Sequence, residues 1–173
     1  KSLCHLVVPT SGDVLIFGKL VGNKGEFPKD IGVLIESPGF LPNLSALKNL
    51  LFLSEIRGVA SKNDVENAIK LVGLDPTDKR PIKKYSMGMK QRLNIAQAIM
   101  EKPKILILDE PMNGLDAQGV RDVRLLLNKM KNEEKVTILL ASHHAEDIEA
   151  VCEKVYVMEN GILSLRQEKN NEV

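Results

Sequence analysis

The sequence predicts an α/β fold: a parallel sheet with helices on both faces, a helical insertion within it, and a C-terminal β-hairpin. Three observations predict it. From Lys104 onward, short aliphatic runs alternate with amphipathic segments of helical length, the pattern of right-handed βαβ crossovers. The run ILIL, Ile105 to Leu108, is aliphatic at every position, as a strand buried on both faces requires. Asn160 and Gly161, between VYVME and ILSL, form a type I′ turn signal.

The elements follow in order. IGVLIE, Ile31 to Glu36, reads as a buried strand, after which Pro38, Gly39 and Pro42 break the chain into a loop. Leu47, Leu50 and Leu51 begin one helical apolar face, closed by Gly58. Val65, Ala68, Ile69 and Val72 make a second at i, i+3, i+4, i+7, closed by Gly73. Ser86 is a good N-cap for a third helix, which turns Leu93, Ala96 and Met100 inward before Pro103 stops it. A strand from Lys104 to Asp109, a helix from about Asp116 to Met130 and a strand from Val136 to Ala141 come next. A helix to about Cys152, a strand from Val155 to Met158 and the hairpin complete the fold, leaving a charged tail from Arg166 to Val173.

At 173 residues and 43% hydrophobic, the chain suffices for one sizeable core. A formal charge of +1, from 24 basic and 23 acidic residues, gives no general attraction to nucleic acid, so phosphate chemistry must come from local geometry. The basic set Lys79, Arg80, Lys83 and Lys84 reads as a solvated face. Cys4 and Cys152 have no paired spacing, which argues against a disulfide framework or zinc module and fits a reducing cytosol. No apolar run approaches the ~18 residues of a membrane span, and no signal-like segment opens the sequence, so the chain is expected to be soluble by itself. It starts at Lys1 without an initiator methionine, and we expect it to be part of a longer polypeptide.

Two motifs carry chemistry. Asp109 and Glu110 follow a buried strand at its carboxyl end, where open α/β sheets place their ligands. An acid there can hold Mg²⁺ beside a nucleotide, and a glutamate just beyond can polarise a water for in-line attack on a γ-phosphate. In YSMGMKQR, Tyr85 to Arg92, Ser86 caps a helix, Gly88 permits close backbone approach, and the first-turn N–H groups form an anion site. Taken singly, each also has a plainer reading: acids capping a turn, and a serine that only caps.

Together they carry a resemblance. YSMGMKQRLNIAQAIMEKPKILILDEPMNGLD, Tyr85 to Asp116, resembles the signature motif, Walker B strand and D-loop of the ATP-binding cassette (ABC) family, in that family's order and spacing. The usual signature is LSGGQ; Ser86 and Gly88 match it, while Tyr85, Met87 and Met89 replace the Leu, first Gly and Gln. ILLASHHAEDIEAVCEKVYVMENG, Ile138 to Gly161, is similar to the switch-histidine region, which selects His143 over His144. IGVLIESPGFLPNLSALKNLL, Ile31 to Leu51, resembles the Q-loop and the start of the helical subdomain, with Glu36 where the family usually has Gln. That glutamate, the PNLS segment and the altered signature look like those of cassettes exporting bacitracin or lantibiotics.

The resemblance implies a P-loop NTPase-type fold, with one domain over 1–173: a helical subdomain at 37–100, a catalytic core of 1–36 and 101–165, and a tail at 166–173. It implies ATP and Mg²⁺ as cofactors and a head-to-tail cassette dimer, identical or not, in which Ser86 and Gly88 contact the γ-phosphate bound by the partner. Asp109 would hold Mg²⁺ through water, with Glu36 meeting the metal or the attacking water. Glu110 would be the general base, His143 would steady the γ-phosphate, and Asp116 would couple the two sites. A transmembrane permease would be the partner in export, and the protein would sit peripherally on the cytoplasmic face of the cell membrane, with no nucleic acid bound. PTSGDVLIFGK, Pro9 to Lys19, resembles the segment after the P-loop helix, yet no GxxxxGK[ST] occurs anywhere; only Leu3 to Val8 separate Lys1 and Ser2 from PTSG. These residues alone are therefore expected not to hydrolyse ATP. Two other readings stay open: a soluble ABC ATPase acting on nucleic acid or ribosomes, and a non-hydrolytic cassette offering only its signature to an active partner.

Overall fold

The computed structural model describes residues 2–4, 7–21, 30–35 and 39–168. Strands β1 (Leu15–Ile16) and β2 (Lys19–Leu20) form a small antiparallel ladder around Phe17 and Gly18, both at positive φ. Strands β3 (Ile31–Leu34), β4 (Ile105–Asp109) and β5 (Thr137–Ala141) form a parallel sheet in that order. The predicted strand to Glu36 thus ends at Leu34, and Glu36 itself lies outside the described residues, as do Ser37, Pro38 and Lys1.

Between β3 and β4 lies the helical insertion: α1 (Ala46–Arg57), α2 (Lys62–Leu71) and α3 (Met87–Ile99). Each begins at a serine whose hydroxyl accepts a backbone N–H, from Lys48 for Ser45, Asp64 for Ser61 and Met89 for Ser86. Such caps are worth about 1 kcal/mol each. At α2 the cap is reciprocal, since the Asp64 carboxylate also accepts the Ser61 N–H at 3.0 Å. Buried Asn49 fixes the approach to α1 by accepting from the Leu41 N–H at 2.7 Å and donating to the Leu41 carbonyl at 3.1 Å.

After β4 come α4 (Ala117–Asn132) and α5 (Ala145–Val151), on either side of β5. Leu106 and Leu108 on one face of β4 join Leu34, Leu50, Val65, Ile69, Leu93 and Leu127 in the main core. Ile107 on the other face packs with Ile31 and Cys4 in a smaller cluster. Helix α3 lies directly on β3: a Cβ on Gly32 would stand 2.0 Å from the Ala98 carbonyl oxygen. Cys4 and Cys152 form no disulfide. The basic set at 79, 80, 83 and 84 is exposed.

The expected C-terminal hairpin forms: β6 (Lys154–Glu159) pairs antiparallel with β7 (Ile162–Glu168), and among the described residues no ladder joins β6 to β5, so it does not extend the parallel sheet. The turn at Asn160 and Gly161, at φ 51 and 79, closes the hairpin locally, which costs far less loop entropy than a crossover. One face of this hairpin, where Tyr156 opposes Leu165 and Met158 opposes Leu163, is exposed. No helix among the described residues is long and apolar enough to cross a membrane.

Candidate active site

The register of the sheet places the site. Asp109 pairs with Ala141 at the carboxyl ends of β4 and β5, so the residues that follow emerge on one rim. The Glu110 N–H donates to the Ala141 carbonyl at 2.9 Å, extending the ladder one residue. Glu110 Oε1 then accepts the His143 backbone N–H at 2.9 Å and lies 2.7 Å from His143 Nδ1. Ser142 Oγ approaches the other carboxylate oxygen at 3.5 Å. The carboxylate is held by a fixed main-chain donor yet stays reachable by water, its side chain being 28% exposed. A hydrogen-bond acceptor held on rigid strand ends and still wetted suits a base that draws a proton from water.

His143, not His144, makes this pairing; His144 occupies the N-cap of α5, its ring tilted against that of His143 at 3.9 Å between centroids. Behind them, buried Asp147 accepts from Arg124 Nη2 at 2.6 Å and Nε at 2.9 Å, and lies 3.4 Å from the Ser142 hydroxyl. The bonds to Asp147 push the already high proton affinity of Arg124 higher still. A cleft of about 730 Å³ opens beside this network, lined by residues 112–115 and 143–147 with Arg121 and Arg124.

Asp109 is exposed at the end of β4. No group of three His, Cys, Asp or Glu side chains converges on a metal position among the described residues. One open carboxylate nevertheless suits Mg²⁺, which keeps several waters and takes one or two protein acids beside substrate phosphates. The second acid expected from sequence, Glu36, falls outside the described residues, so its approach to the site is not part of this geometry.

Ser86 and Gly88 open α3 as the sequence suggested, and this turn packs on the loop 112–116. A Cβ on Gly88 would stand 3.1 Å from the Gly114 carbonyl oxygen, and one on Gly114 would stand 2.7 Å from Met87 Cγ. Gly114 also has φ 76, a conformation that side chains adopt only under strain. Asp116, expected to couple two sites, is the N-cap of α4, its Oδ1 accepting the Gly119 N–H at 2.7 Å.

Sequence reasoning missed four contributors: Gln91, Arg124, Ser142 and Asp147. Gln91 Nε2 donates to the Pro111 carbonyl at 2.9 Å and the Glu110 carbonyl at 3.3 Å. Nothing in AEDIEAV distinguishes Asp147 from its acidic neighbours Glu146 and Glu149.

Comparison with known proteins places this arrangement. A family model described as ABC transporter matches residues 1–113. The ABC transporter ATP-binding protein YybJ of Bacillus subtilis is 44% identical over 163 residues, covering 94% of this chain and 74% of that protein. The bacitracin transport ATP-binding protein BcrA of Bacillus licheniformis is 41% identical over 164 residues, covering 94% of this chain and 54% of that protein. The chain therefore spans about half the length of that bacitracin transport protein. The dimeric structure of MJ0796, a bacterial ABC transporter cassette, superposes with a TM-score of 0.78 at 23% identity, over 92% of this chain and 73% of the other. With its parallel sheet, helical insertion and acid-tipped β4 in the order of that fold, the chain belongs to the ABC transporter family, as an ATPase domain.

Proposed function

We propose that this chain is the hydrolytic part of an ATP-driven exporter subunit, with Glu110 as general base. The observation that carries the reading is the Glu110 carboxylate, fixed at 2.9 Å by the His143 N–H on a rim shared with Asp109. Glu110 draws the proton from a water as that water attacks the γ-phosphate in line. His143, in contact with the same carboxylate, would steady the γ-phosphate. Asp109 would hold Mg²⁺ through water, with Glu36 the second candidate ligand; when bound, the ion supplies positive charge that neutralises the phosphate oxygens.

Ser86 is exposed at the N-cap of α3 with Gly88 in its first turn, and the two would contact a γ-phosphate held by a second cassette. Asp116 would couple the two sites from the loop that Met87 touches. The dimeric neighbour supports the expectation of paired cassettes by its fold alone. Residues 37–100 would form the helical subdomain that receives a permease at the cytoplasmic face of a membrane, and the bacitracin-transport relative supports a peptide antibiotic as cargo. The 173 residues contain no GxxxxGK[ST], so turnover requires a polypeptide that carries this chain together with a Gly-rich phosphate loop.

Glu110→Gln in such a polypeptide is expected to lower kcat by about a hundredfold or more while leaving ATP binding intact. An unchanged rate of phosphate release would remove Glu110 as the base. This chain alone is expected to give no MgATP turnover, and measurable release would overturn that part.

A further inference from the structure

Glu110 stands at φ 49, in the left-handed region, although it carries a full side chain. A non-glycine residue there is strained and persists only where its surroundings over-determine it. The surroundings can be named. Its N–H is bound by the Ala141 carbonyl at 2.9 Å, and its own carbonyl accepts the Asn113 N–H at 3.2 Å. Both are backbone contacts within the strand ends and the following turn.

The remaining holder comes from elsewhere in the fold. Gln91, on the second turn of α3, sends one side-chain amide to two consecutive carbonyls, those of Glu110 and Pro111. The amide is itself oriented, because its Oε1 accepts from Asn94 Nδ2 at 3.1 Å and Asn94 is 3% exposed. Its donor end therefore faces the strained corner, and its acceptor end is already occupied.

We propose that Gln91 is a positioning residue that holds the Glu110 backbone in this conformation and thereby ties the signature helix to the hydrolytic acid of the same chain. The proposal rests on the reading of Glu110 as base. Helix α3 carries Ser86 and Gly88 at one end of this linkage and the Gln91 donor at the other, within about two turns. A shift of the helix on engaging a partner's phosphate would be transmitted through one side chain to the acid that serves the chain's own nucleotide. The Gly114 carbonyl beside Gly88 limits how far the helix can move without moving the loop as well.

Two substitutions of similar length separate donation from packing: Gln91→Met removes the N–H, and Gln91→Lys restores a donor. In this chain, hydrogen exchange at the amides of Glu110, Met112 and Asn113 is expected to quicken about tenfold in Q91M and to stay near the parent rate in Q91K. Melting temperatures serve as the control for folding. In a polypeptide that also carries a phosphate loop, Q91M should lower kcat about tenfold with KM for ATP unchanged, and Q91K should recover most of it. Parent-like exchange in Q91M overturns the proposal, as does a Q91K that behaves like Q91M, because the contact would then be packing alone. Glu110→Gln is measured alongside. If it leaves turnover intact, the assignment of the base fails, and the exchange rates still decide whether Gln91 holds the backbone.

Discussion

Asp147 is the residue whose sequence context, an acid between Glu146 and Glu149, gave least warning of its position. It is buried at 2% exposure with Arg124 as its charged partner, and burying a carboxylate is tolerable only while it stays paired. Removing the partner is therefore the more damaging change. Arg124→Leu is expected to destabilise the chain by about 3 kcal/mol, and Arg124→Leu with Asp147→Asn to recover much of that loss, as measured by denaturant unfolding. Additive losses in the double variant would show that the two side chains stabilise the fold independently. Ser142, 3.4 Å from Asp147 and 3.5 Å from Glu110, carries a single proton for two carboxylates. The Asp147 pair thus lies one hydroxyl away from the candidate base.

At the scale of elements, the start of α2 is joined to the end of α3. The Asp64 carboxylate is held down to about 2, first by the Lys102 ammonium 2.6 Å away and then by the Ser61 hydroxyl and N–H. Free aspartate titrates near 3.9. A depressed carboxylate contributes stability that is fully present above the unfolded value and is lost as pH falls through the folded one. The contribution of Asp64 is therefore present above about pH 4 and gone below about pH 2. Asp64→Asn should lower stability at pH 6, and the difference from the parent should shrink toward pH 2 in thermal melts. A gap that stays constant with pH would assign the effect to the lost cap instead. The Ser86 cap that opens α3 was legible in the sequence, because capping is local chemistry. The Lys102 contact was not, because it joins residues brought together only by packing. Gln91 escaped for the same reason: a glutamine on a helix gives no sign of carbonyls nineteen and twenty residues away. The β1–β2 ladder was missed because two-residue strands leave no periodicity to read.

For the molecule as a whole, the aliphatic run of β4 and its flanking helices made the parallel sheet readable, since a strand covered on both faces has one compositional solution. The Asn160–Gly161 turn made the pairing of β6 with β7 readable, but not the lack of a ladder from β6 to β5 among the described residues. Its consequence is exposed apolar surface. Leu139, beside Ile107 on the thinner face of the sheet, is 48% exposed, and Met158 on the hairpin is 69% exposed. Among the described residues β5 pairs with β4 only. An aliphatic strand with an open edge is a template for association. The 173-residue chain is expected to self-associate as its concentration rises, and Leu139→Lys with Met158→Lys to reduce this in sedimentation velocity. A monomer at every concentration for the parent would contradict the expectation.

The left-handed backbone at Glu110 has a consequence for inheritance. Glycine or asparagine would fit that φ better than glutamate does, so the fold alone exerts a steady pressure against the acid. On the proposed role of Glu110 as base, only its chemistry resists that pressure. In descendants that no longer hydrolyse nucleotide, this position is where replacement should come early and should leave a sturdier protein behind.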